Sequence, residues 1–99
     1  MNLDAKGREL TGLSPDMIVP WFLMASYLYY HTNQSLLSDG YYDELSKELL
    51  SRWDQVEHRH KYLITKDDLI AGSLYRLKEE EYPMLVKAAA LFLVGELGE

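Results

Sequence analysis

Tyr42, Leu45, Leu49, Trp53 and Val56 follow one another at steps of three or four. A helix over this stretch therefore carries one continuous apolar stripe. Lys47, Glu48, Ser51, Arg52 and Asp54 fill its other faces. A one-sided helix is stable only where another element covers its apolar side. Ser38-Asp39-Gly40 opens the helix, with Ser38 or Asp39 as the capping residue. The pattern fades by His58.

The covering element lies just upstream. Trp21-Phe22-Leu23-Met24-Ala25-Ser26-Tyr27-Leu28-Tyr29 is apolar nearly all round, which predicts a helix buried on more than one side. Pro20 would break an established helix by removing a bond and clashing one turn back. Ser14-Pro15-Asp16 carries helix-start chemistry of its own. The reading is a short turn at 14–18 and a main helix from near Pro20 to about Thr32. Asn33-Gln34-Ser35 separate it from the striped helix, and the two form an antiparallel hairpin.

Downstream, Thr65-Lys66-Asp67-Asp68 has capping-box form, with aspartate in place of the usual Glu or Gln. It predicts a third helix with Leu69, Ile70, Leu74 and Leu77 on one side. Gly72 weakens that helix by about 1 kcal/mol relative to alanine. Lys78-Glu79-Glu80-Glu81 reads as a solvated charge run. Pro83 fits the first turn of a fourth helix ending near Gly95 or Gly98. Residues 1–13 are polar, contain Gly7 and Gly12, and read as a loose N-terminal arm. There is no strand pattern and no repeat. The expectation is an all-α fold: a helical hairpin plus two further helices in one small four-helix domain over 14–99.

Ninety-nine residues are enough for one modest core. The sequence has no cysteine, which excludes disulfides and zinc–thiolate sites and makes a reducing cytoplasm the natural expectation. Met1 to Lys6 has no apolar segment of signal-peptide type. The longest apolar run, Met84 to Val94, is interrupted by Lys87 and is too short to span a bilayer. The formal net charge of −6 argues against direct nucleic-acid binding, which needs clustered Lys and Arg. Within the run, Met84, Leu85, Ala88, Leu91 and Phe92 fit a core face more readily than an interface, although a homodimer surface is a second reading.

Five tyrosines and two aspartates fall between Tyr27 and Asp43. Tyr42 begins the apolar stripe, so its ring faces the preceding helix. Tyr29 lies at the end of that helix, near the same turn. Asp39 and Asp43 are four apart and share a helix face. One reading gives them structural roles, Asp39 capping and Asp43 solvated in the first turn. The other brings Tyr29, Asp39, Tyr42 and Asp43 together as a site for a small polar aromatic ligand. His58-Arg59-His60 offers too few ligands for a metal site. No Ser-His-Asp set or glycine-rich phosphate loop is present.

These residues carry a family resemblance. The run Tyr27-Leu28-Tyr29-Tyr30, followed by Asp39-Gly40-Tyr41-Tyr42-Asp43-Glu44-Leu45, resembles the Tyr-x-Tyr-His and Asp-x-x-Tyr-Asp-x-Leu segments of the N-terminal Ia domain of bacterial NAD-dependent DNA ligases. His60-Lys61-Tyr62-Leu63-Ile64-Thr65 is similar to the family's His-Pro-Glu-Leu-Ile-Thr. The similarity spans residues 24–66, and the chain resembles small ligase-related proteins of phages and prophages. The resemblance implies a helical domain that closes over the nicotinamide mononucleotide half of NAD. It also implies ligand contacts at the positions of Tyr29, Asp39, Tyr42 and Asp43, rings against nicotinamide and carboxylates near the ribose hydroxyls and carboxamide. Tyr30 stands where the family has a histidine, and His31 lies about 100° further round the helix.

The ligase reaction needs an adenylation lysine in a Lys-x-Asp-Gly motif, and none occurs here; Lys66-Asp67-Asp68 does not match it. The chain alone is not expected to be an enzyme. The expectation is a non-catalytic, phage-type protein of a bacterial cytoplasm, acting through an unidentified protein partner. The alternative is a stand-alone binding module for nicotinamide mononucleotide or NAD, with Tyr29, Tyr30, Asp39, Tyr42 and Asp43 as ligand-binding residues.

Overall fold

The computed structural model describes residues 2–97. Within them the chain forms five α-helices and no strand: α1 (Asp4–Leu13), α2 (Ile18–His31), α3 (Asp39–Ser51), α4 (Lys66–Ala71) and α5 (Met84–Leu97). The all-α expectation holds, with one helix more than the four expected.

The central element is α2. From Ile18 to Leu28 every side chain but Pro20 is buried, so the all-round apolar pattern reflects packing on several sides. A 3-10 turn at Pro15–Met17 runs directly into it. Pro20 is tolerated because it occupies the third position of α2, where an N–H has no intrahelical acceptor anyway. The Asp16 carboxylate accepts a bond from the Glu57 amide at 2.9 Å, tying the start of α2 to the loop after α3.

Both α3 and α5 pack on α2. Ser38 caps α3, its hydroxyl accepting from the Tyr41 amide at 3.1 Å. Leu45, Leu49 and Val56 of the stripe are buried, while Tyr42 and Trp53 are half-buried. The helix ends at Ser51, and turns carry the chain to Gln55. Lys61 holds this end. Its ammonium donates to the Trp53 and Val56 carbonyls and lies 4.5 Å from the Trp53 ring centre.

The arm expected over 1–13 is instead a docked helix. Leu3, Gly7 and Leu10 fall on one face of α1, at steps of four and three. Leu3 and Leu10 pack against the core. Gly7 is buried where the Tyr41 ring comes so close that a Cβ would sit 2.8 Å from Tyr41 Cε2. Arg8 lies over the other part of this contact, 4.3 Å from the Tyr41 ring centre, and pairs with Glu44 at 2.6 Å.

The third helix is shorter than the periodicity suggested. Its capping box forms: the Thr65 amide donates to Asp68 at 2.8 Å and the Asp68 amide to the Thr65 hydroxyl at 3.2 Å. Gly72 then ends α4 in the left-handed region, φ 69°. Leu74 and Leu77 are buried from the segment beyond it, and Ile70 is 70% exposed, so the expected one-sided row does not exist. Ser46, fully buried on α3, donates to the Leu69 carbonyl at 2.9 Å and joins α3 to α4.

Pro83 immediately precedes α5 and supplies the carbonyl for the Lys87 amide, rather than standing in the first turn. Gly95 lies inside α5; Gly98 is outside the described residues. Val86 and Ala90 are buried against the core, with Leu93, Val94 and Leu97 partly so. Met84, Leu85, Ala88, Leu91 and Phe92 all face solvent, contrary to the core reading of these five. Apolar residues here occupy both sides of one helix. No helix among the described residues is long and apolar enough to cross a membrane.

Candidate functional site

A cleft of about 220 Å³ opens between the end of α2, the loop before α3, the first turn of α3 and the Gly72 turn. It is lined by Tyr29, Tyr30, Asp39, Tyr42 and Asp43 together with Ala25, Ser35, Leu36, Leu37 and Gly72. All five candidate residues read from the sequence therefore meet in one concavity. The tyrosine cluster itself divides: Tyr27 and Tyr41 belong to the core, and Tyr29, Tyr30 and Tyr42 belong to the cleft.

Each cleft tyrosine is held differently. The Tyr42 ring stacks on Phe22 with centroids 4.8 Å apart and planes 21° from parallel. Its hydroxyl lies 2.6 Å from Ser26 Oγ, which itself donates to the Phe22 carbonyl at 2.7 Å. The single Ser26 proton is thus used, so Tyr42 is the donor. Burial pushes the Tyr42 phenol well above its ordinary pKa and keeps it neutral. Tyr30 reaches Ser73 Oγ at 3.0 Å, and its ring meets Tyr29 and Tyr75 edge-on at 5.0 and 5.8 Å. Tyr29, 55% exposed, forms the open rim.

The carboxylates come from the start of α3. Asp39 is the first residue of α3, next to the Ser38 cap. Asp43 pairs with Lys47 at 2.9 Å across an exposed helix turn, a contact of small energetic weight. Asp39 is not the capping group, since Ser38 fills that role.

His31 is turned away. Its Nε2 lies 2.9 Å from the Leu77 carbonyl, which can only accept, so Nε2 carries the proton. Its ring packs edge-on against Tyr82 at 5.5 Å. The buried Tyr82 hydroxyl and His60 Nδ1 have no hydrogen-bond partner among the described residues. His58 and His60 have ring centres 5.4 Å apart, and the His60 amide occupies His58 Nδ1 at 3.1 Å. Burial lowers both imidazoles below the ordinary histidine pKa. Among the described residues no group of three or more His, Asp or Glu could hold a metal ion.

Sequence reasoning missed the floor of the cleft. Leu36 and Leu37 follow the Asn33-Gln34-Ser35 break and carry no expectation of their own, and Gly72 reads from the sequence as a weak point inside a helix. Leu37, directly before the Ser38 cap, stands at the position where an apolar side chain packs back onto the helix it precedes, and that is the signal available for it. The chain matches no protein-family model, no curated protein and no solved structure.

Proposed function

We propose that this protein is a non-catalytic binding module whose cleft takes a nicotinamide-type nucleoside or nucleotide on a hairpin resembling the ligase Ia domain. The observation that carries the reading is the convergence of Tyr29, Tyr30, Asp39, Tyr42 and Asp43 on one open cleft. Flat rings and carboxylate acceptors suit an aromatic amide with ribose hydroxyls. At about 220 Å³ the cleft is below the usual range of roughly 300–1,000 Å³ for ligand pockets, so it holds one ring and part of a sugar. That size predicts weak binding and favours a mononucleotide or nucleoside over a whole dinucleotide. The test is an NMR titration with nicotinamide mononucleotide and NAD, following the Tyr ring and the Asp39 and Asp43 amide signals. Shifts confined to the cleft support the reading, and unmoved signals at millimolar ligand refute it.

A second reading, action through a protein partner, draws on the outward face of α5. Met84, Leu85, Leu91 and Phe92 are large apolar side chains left in solvent along one helix. Such patches mark interaction surfaces. Sedimentation over a concentration series tests the self-association version: Phe92→Asp should abolish any dimer the wild type forms. A wild type that stays monomeric leaves only a different protein as partner.

A further inference from the structure

The lining of the cleft also restricts the charge of its ligand. Of its ten residues two are acids and none is Lys, Arg or His. Lys47 touches Asp43 from outside the lining. Tyr42 is kept neutral with its proton directed to Ser26, so it offers the cleft no free donor. A phosphate attached to a ligand here would find two carboxylates nearby and no cation within the lining.

On the neighbouring surface Lys47 is taken up by its pairing with Asp43. On the far side of Tyr30 a shallow groove carries Arg76 and Lys78. Arg76 is already committed to Asp68 through two bonds of 2.9 and 2.7 Å. Lys78 is accompanied in that groove by Glu79 and Glu80, so cations and carboxylates are matched. A phosphate extended over Tyr30 gains no net attraction.

What this lining does favour is positive charge on a flat ring. Tyrosine faces attract cations within about 6 Å of the ring centre. The Asp39 carboxylate adds to that attraction, and so does Asp43, whose charge Lys47 partly offsets. From this lining we infer that the cleft selects a cationic, phosphate-free aromatic ligand, an N-alkylated pyridinium with or without a sugar. The inference rests on the nicotinamide-binding reading and narrows it to the nucleoside level.

The full chain can be titrated at low ionic strength with four probes: 1-methylnicotinamide, nicotinamide riboside, nicotinamide mononucleotide and uncharged nicotinamide. The readout is the ring signals of Tyr29, Tyr30 and Tyr42. The riboside should bind at least about threefold more tightly than the mononucleotide, a gap that narrows as salt screens the carboxylates. Adding Asp39→Asn and Asp43→Asn together, both at exposed positions, should bring the two affinities within about twofold of each other. Circular dichroism confirms that the variant is folded, and the salt dependence of the wild type tests the same point without any substitution. A mononucleotide that binds as tightly as the riboside, or a preference unmoved by salt and by the double variant, overturns the charge selection and leaves the binding reading standing. Silence from all four probes overturns both.

Discussion

Ser38 donates both its amide and its hydroxyl to the carboxylate of Asp4, at 2.8 and 2.5 Å. The same hydroxyl accepts from the Tyr41 amide as the cap of α3. The first residue of α1 therefore fixes the residue that starts α3. The Leu3 amide adds a bond to the Leu36 carbonyl at 2.9 Å, on the floor of the cleft. Asp4→Ala should lower stability by about 1.5 kcal/mol, because two charge-assisted bonds are lost at a half-buried site. It should also weaken any ligand shifts at Asp39 and Tyr42, which stand on the turn being held. Urea unfolding and the NMR titration read these two effects separately; full stability in the variant would mean that α1 does not brace α3.

The hydroxyl and the ring of Tyr42 have separate tasks. Tyr42→Phe keeps the stack on Phe22 and removes the bond to Ser26. The expected loss is about 1 kcal/mol of stability, with ligand affinity changed less than about twofold. Tyr29→Ala should do the reverse. It removes an exposed rim ring, leaves stability within about 0.5 kcal/mol, and cuts ligand affinity several-fold. Equal effects of the two variants on binding would refute this division.

Asp68 gives the fold a component of acid sensitivity. The residue is only 8% exposed. Burial pushes its carboxyl upward, but bonds from Arg76 and Thr65, with the Arg76 charge, outweigh this and hold it below the ordinary carboxylate pKa. A depressed folded value stabilises the fold above the unfolded pKa of about 4, and that stabilisation is lost as pH falls through the folded value. Asp68→Asn should therefore cost about 2 kcal/mol at pH 7 and progressively less below about pH 4. Chemical denaturation of both proteins at several pH values checks this, and a difference independent of pH would refute it.

Gly72 carries the one left-handed glycine conformation among the described residues. A Cβ there would meet only Asp43 Oδ1, at an ordinary 3.7 Å, so space is not the constraint. The cost of Gly72→Ala is conformational, about 1 kcal/mol. Because Gly72 and Asp43 line the same cleft, the change should also perturb the Asp43 amide in spectra of the folded protein. A stabilised variant would show that the turn can relax.

The parts of the fold legible in the sequence were those where local chemistry and packing agree. The α3 stripe, the Ser38 cap and the Thr65–Asp68 box each state their structure within a few residues. The cleft residues were legible because the helix periods of α2 and α3 and a short connection bring Tyr29 and Tyr42 to one end. The docking of α1 was hidden because its anchor is an absence: Gly7 contributes by having no side chain where Tyr41 must fit. The extent of α4 is not legible because Leu74 and Leu77 keep a helix-like spacing after Gly72 has turned the chain. The outward face of α5 reads as core because apolar residues surround that helix, and periodicity then cannot say which side is covered.

Tyr30 is a party wall. It lines the ligand cleft on one side and the groove of Arg76 and Lys78 on the other. Its hydroxyl bonds with Ser73, which holds it from the segment just past Gly72. A ligand that turned this ring on one side would change the shape offered on the other. By thermodynamic linkage any such influence would be mutual, a molecule in the second groove changing affinity for the first by the same factor.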